Sequence, residues 1–154
     1  MTLLLPPSHS FKIGGLRRIK MAIHLDHTIV PAKDKTASAE FFAEIFGLTV
    51  DGGYFARVQV NESLTLAFTD EPERWGSSGY DPGTGQCHHY AFHVSDAEFE
   101  GIFGRVKARR VPYGSGPYNH TDGRIYTRRG GRGFYFKDPY GHLLEVMTVP
   151  ETGG

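Results

Sequence analysis

Two stretches of the chain repeat one another, and that repeat limits the fold more than any other feature. Residues 25–30 (LDHTIV) and 88–94 (HHYAFHV) each open one half, carry histidine near the start, and lead into a segment with helical apolar spacing. In the first half, residues 23–30 are β-branched and apolar and stop at Pro31, as a strand does before a residue that cannot donate to a ladder. Residues 36–46 place Ala39, Phe42, Ala43 and Phe46 at three- and four-residue spacings and then meet Gly47, which predicts a helix with a glycine stop. Strand patterns return at 54–60 and 64–69, around the turn residues Asn61, Glu62 and Ser63. The second half follows the same order. A strand at 88–94 precedes a helix at 96–109 with Phe99, Ile102, Phe103 and Val106 on one face; strands at 133–137 and 142–148 flank the turn Asp138-Pro139-Tyr140-Gly141. The expectation is an α+β fold of two paired βαβββ modules, their strands forming an open curved sheet around a cup with the helices outside.

At 154 residues the chain suits one domain built from the two halves. Residues 1–20 read as an N-terminal extension, because Leu3-Leu4-Leu5 runs into Pro6-Pro7 and has neither the basic start nor the apolar length of a signal peptide. The domain then spans 21–150: module one at 21–70, a Pro-, Gly- and Ser-rich linker at 71–86, and module two at 87–150. Seventeen basic and seventeen acidic side chains cancel, so no net field gathers nucleic acid or an anionic membrane. One cysteine, Cys87, cannot form an intramolecular disulfide, which makes the reducing cytoplasm the expected compartment.

Strand alternation nominates the residues of the cup. In HHYAFHV, Tyr90, Phe92 and Val94 share the face suited to packing under a helix, which leaves His89, Ala91 and His93 facing inward. In HLLEVMT, Leu144 and Val146 belong to the core while Leu143, Glu145 and Met147 look into the cup. A carboxylate among apolar neighbours is costly unless its charge is compensated, and a metal ion would compensate it. His27 shares a face with Leu25 and Ile29 on the first strand. Any one of these histidines alone reads first as a core side chain bonded to backbone. Together, two imidazoles and a carboxylate make a facial set for one Fe2+, Mn2+, Ni2+ or Zn2+ ion, with positions left open.

LDHTIV, HHYAFHV and above all FYFKDPYGHLLEV resemble the glyoxalase, bleomycin-resistance and extradiol-dioxygenase superfamily, the vicinal oxygen chelate proteins, over residues 23–148. DP-x-GH-x-LE is the most specific element, and the resemblance implies that Glu145 is a metal ligand, with the ligand histidines at His27 and His89. It also implies chemistry on substrates that chelate the ion through neighbouring oxygens. Three departures stand out. The stretch Leu64-Thr65-Leu66-Ala67-Phe68 lacks the extra carboxylate ligand of glyoxalase I. Ile29 and Gly133 replace a threonine and a serine of the fosfomycin thiol transferases. Extradiol dioxygenases share the two-His, one-Glu set but carry further modules.

His93 and Tyr135 are the catalytic candidates: His93 as a general base or a supporting hydrogen-bond partner, Tyr135 as a phenol in the cup or a packing residue. Residues 113–132 hold too much glycine for a continuous strand and carry polar side chains from His120 to Arg129. They are expected to form either a functional loop, in which an arginine binds a substrate carboxylate or enolate, or a solvated loop, which is the first reading for any single arginine. The function expected is a divalent-metal-dependent enzyme acting on a small oxygen-chelating substrate by isomerisation, ring cleavage or addition. The alternative is a bleomycin-resistance-like binding protein without turnover. A homodimer is expected in either case.

Overall fold

The computed structural model of the chain describes residues 24–75 and 87–151. The extension expected at 1–20 and most of the linker lie outside the described residues. Strand β1 (His27–Pro31) leads to helix α1 (Lys35–Phe46), followed by β2 (Val50–Asp51), β3 (Ala56–Asn61) and β4 (Leu64–Thr69). Module two contains β5 (His89–His93), α2 (Asp96–Ala108), β6 (Tyr113–Gly114), β7 (Tyr126–Arg128), β8 (Gly131–Lys137) and β9 (Leu143–Met147).

Local chemistry sets the element ends. Asp34 caps α1 by accepting from the Ala37 N–H at 2.9 Å, and Gly47 ends it in the left-handed conformation at φ 72°, a conformation costly for a residue with a Cβ. Helix α2 opens with a reciprocal capping box between Ser95 and Glu98. The Asn61 side chain accepts from the backbone N–H groups of Ser63 and Leu64, which closes the β3–β4 turn.

The strand orders are β1-β4-β3-β2 in the first sheet and β5-β9-β8-β6 in the second, with β7 on β8. Both sheets pair their first and last strands in parallel, β1 with β4 and β5 with β9, so the repeat extends to the topology. The α+β class and paired modules are as the sequence implies. The strands form a four-stranded and a five-stranded sheet and no closed barrel among the described residues.

One apolar core joins the modules on the helix-covered faces. Val30, Val58, Leu66 and Phe68 point into it from the first sheet, and Phe134, Phe136, Leu144 and Val146 from the second. Phe42 and Phe46 of α1 reach across to Phe92 of β5, with ring centroids 5.4 and 4.7 Å away. Arg105 of α2 donates through Nε to the Ile45 carbonyl at 2.7 Å. The histidine of the DPYGH turn is a further clasp. His142 is fully buried, accepts the His88 N–H on Nδ1, and therefore carries its proton on Nε2, which donates to the Pro31 carbonyl of module one at 2.8 Å. Asp138 holds that turn by accepting from the backbone N–H groups of Tyr140 and His142.

Candidate metal centre

Because bulky side chains take the core face, the opposite face of each sheet is left for polar groups. On β5 the exposure alternates, with His89, Ala91 and His93 open and Tyr90 and Phe92 packed, as the alternation of HHYAFHV implies. Glu145 on β9 lies on the same open face but is only 4 % exposed. Its register partners are Ala91 on one side and Tyr135 on the other. Ala91 leaves room for the carboxylate to lean toward His89, one diagonal step away, and Oε2 comes within 3.2 Å of His89 Nε2.

The other ring nitrogen settles what that contact requires. His89 Nδ1 faces the Leu143 carbonyl at 3.1 Å, an acceptor only, so Nδ1 carries the hydrogen in that bond. A neutral imidazole in this tautomer turns a lone pair toward the carboxylate. Two lone pairs opposed at hydrogen-bond distance need a cation on or between them, either a proton or a metal ion. Donors bonded to one ion at about 2.0–2.2 Å and near right angles stand about 3 Å apart, so the spacing fits two adjacent ligands.

The phenols of Tyr126 and Tyr135 complete the wall. Tyr126 donates to Glu145 Oε1 at 2.6 Å, and the Tyr135 ring stacks on His89 with centroids 6.0 Å apart and planes at 24°. The two tyrosine rings lie 5.7 Å from each other. Burial lifts both phenols above their ordinary range, and the interaction with Glu145 adds to the rise.

His27 and His93 stand elsewhere. His27 is exposed on β1, with Nδ1 2.7 Å from Asp26 Oδ2, beside a hollow of about 370 Å³ lined by Ile29, Phe55, Arg57 and Trp75. No three His, Cys, Asp or Glu side chains gather at a common point among the described residues. His93 is four residues along β5 from His89, about 13 Å at a strand rise near 3.3 Å, and its Nε2 lies 3.3 Å from the Thr148 carbonyl beside the groove between the modules.

The glycine-rich excursion is more ordered than its composition suggests. Asp122 accepts from Ser115, through both N–H and Oγ, and from the Arg124 N–H; the Ser115 hydroxyl is the main reason its carboxyl sits below the ordinary range. Arg128 pairs with Glu151, Arg129 with the Glu151 carbonyl, and Arg132 with Asp96 and Glu100, so these arginines are engaged within the chain. The residue that sequence reasoning does not single out is Tyr126. Only the pairing of β7 with β8 brings it to Glu145.

This fold, with its two repeated modules, defines a class. The chain belongs to the Glyoxalase/Bleomycin resistance protein/Dioxygenase superfamily, whose family model matches residues 24–146. The solved structure of the oxidase ChaP-H2 is similar, 41% identical over 87% of this chain and 100% of that chain, with a TM-score of 0.74. The oxidase ChaP-H1 is 42% identical over 86% of this chain and 100% of its own, with a TM-score of 0.72. Glutathione transferase FosA of Serratia marcescens is 28% identical over 129 residues, covering 79% of this chain and 78% of FosA.

Proposed function

We propose that this chain is a divalent-metal-dependent enzyme of the oxidase or dioxygenase kind, acting on a small substrate that offers adjacent oxygens to the ion. The observation that carries the reading is the His89–Glu145 pair: two lone-pair donors at the spacing of adjacent ligands, with the carboxylate buried. His27 is assigned as the third ligand. Since it lies apart from the pair within one chain, it is delivered by a second copy. Each module leaves its inner face open, with Leu25 and His27 on one and His89 and Ala91 on the other. A twofold axis that lays the first face of each copy over the second face of its partner makes two equivalent sites in a homodimer.

Two imidazoles and one carboxylate suit Fe2+, Mn2+, Ni2+ or Zn2+, and the likeness of 87% and 86% of this chain to two proteins named oxidases favours Fe2+ or Mn2+ and ring cleavage over isomerisation or addition. A bound ion there supplies Lewis acidity and open coordination positions. The chain's own groups do the rest. His89 is held by its Nδ1 bond to Leu143, Glu145 is held by Tyr126, and the Tyr135 ring walls the site on the His89 side. A drug-sequestering role without turnover gives no use to two lone-pair donors at the spacing of adjacent ligands. The single cysteine fits a cytoplasmic enzyme.

Anaerobic reconstitution with each metal, followed by elemental analysis, oxygen uptake with catechols, and product assays with α-ketoaldehyde–thiol adducts and epoxides, tests the reading. His27→Ala, His89→Ala and Glu145→Ala should each lose the ion while keeping far-ultraviolet circular dichroism. Full metal retention in all three variants would end it.

A further inference from the structure

Glu145 has two carboxylate oxygens, and the chain has already committed one of them. Oε2 faces His89 Nε2, while Oε1 accepts the Tyr126 hydroxyl at 2.6 Å. Tyr126 reaches it from two strands away. It sits on β7 opposite Gly133 of β8, and Glu145 lies on β9 beyond. The span from β7 to β9 is about 9.6 Å at a strand spacing near 4.8 Å, so the ring has to lie flat across β8 to make the bond.

Gly133 is what lets it lie there. A Cβ at this position would clash with Tyr126 Cζ, Oη and Cε1. Any side chain at 133 therefore competes with the tyrosine ring for one space. Gly133 has an unremarkable backbone conformation, so its lack of a side chain serves this seat and not a turn.

We infer that Tyr126, seated on Gly133, is a positioning residue of the candidate metal centre: it holds Oε1 of Glu145 so that the carboxylate presents a single oxygen, Oε2, beside His89. The inference rests on the proposed metal function and adds to it how this chain sets the denticity of its carboxylate ligand. A carboxylate fixed in this way occupies one coordination position instead of two, which keeps another open for substrate.

Cobalt(II) substitution reads this directly, because the intensity of its visible bands reports coordination number. In the full-length protein, Tyr126→Phe should lower Co2+ affinity by about 10- to 100-fold, the usual effect of losing such a partner, and shift the visible spectrum as the second oxygen becomes free to bind. Gly133→Ala should displace the ring and shift the spectrum in the same direction. The double variant should be no worse than Tyr126→Phe alone, since both changes break one contact. Wild-type affinity and spectrum in Tyr126→Phe, or losses that add in the double variant, would overturn the assignment while leaving the metal function standing. If the unaltered protein takes up no Co2+ at all, the metal function falls first and this role with it. Should Tyr126→Phe lose its circular dichroism signature, Gly133→Ala decides alone: an unchanged Co2+ spectrum there overturns the role.

Discussion

At the scale of single residues, Glu145 carries the tension between stability and function. Its carboxylate is almost wholly buried and, without an ion, is met by the Tyr126 hydroxyl and the His89 imidazole, with the Tyr135 phenol beside it. Burying a charge with so few partners costs free energy that a cation would offset. Glu145→Gln removes the charge, keeps the shape, and retains an acceptor for Tyr126. After chelation, the glutamine variant should therefore melt at or above the temperature of the parent protein. Added metal should then raise the midpoint of the parent only, by an amount equivalent to about 2.7 kcal/mol at a hundredfold excess over Kd. Differential scanning calorimetry with and without metal checks this, and equal stabilisation of both proteins would show that the ion does not use this carboxylate.

At the scale of elements, the alternation of β5 and β9 is readable in the sequence because bulky residues can occupy only the helix-covered face; that alone orients His89 and Glu145 correctly. Both helices are readable to within one residue at each end, since Phe42, Phe46, Phe99 and Val106 repeat at helical spacing. The excursion between α2 and β8 resists such reading. Its glycines interrupt any period, and the position of Tyr126 depends on a register with Gly133 that no local pattern encodes. The capping box of α2 is local, and its energetics can be tested. Ser95 bonds to Glu98 through side chain and backbone and holds that carboxyl below its ordinary range. A carboxyl whose value is lower in the folded chain than in the unfolded one contributes stability above the ordinary value, lost as pH falls through the lowered one. Ser95→Ala should cost about 1 kcal/mol at neutral pH and measurably less in acid, read from urea unfolding midpoints. An identical loss at both pH values would show that the ionised carboxylate plays no part in the cap.

At the scale of the whole molecule, the separation of His27 from the His89–Glu145 pair makes assembly part of the proposed chemistry. The core joins the two modules through their helix-covered faces, with Phe46 against Phe92 and His142 clasping Pro31, so the open faces cannot fold onto each other without breaking it. A site made from both faces then needs two chains. This has a consequence that simple loss-of-function variants cannot imitate. His27→Ala and Glu145→Ala homodimers each lack a ligand at both sites and should bind no metal tightly. Mixed and reassembled, they form heterodimers in which one site lacks both altered groups and the other has all three ligands intact. Equal mixing should thus restore about a quarter of the metal capacity and oxygen uptake, since half the dimers are mixed and each carries one complete site. Mixing His89→Ala with Glu145→Ala should restore nothing, because both positions belong to the same module. Recovery in neither mixture would refute the shared site, and recovery in both would place His89 and Glu145 on different chains.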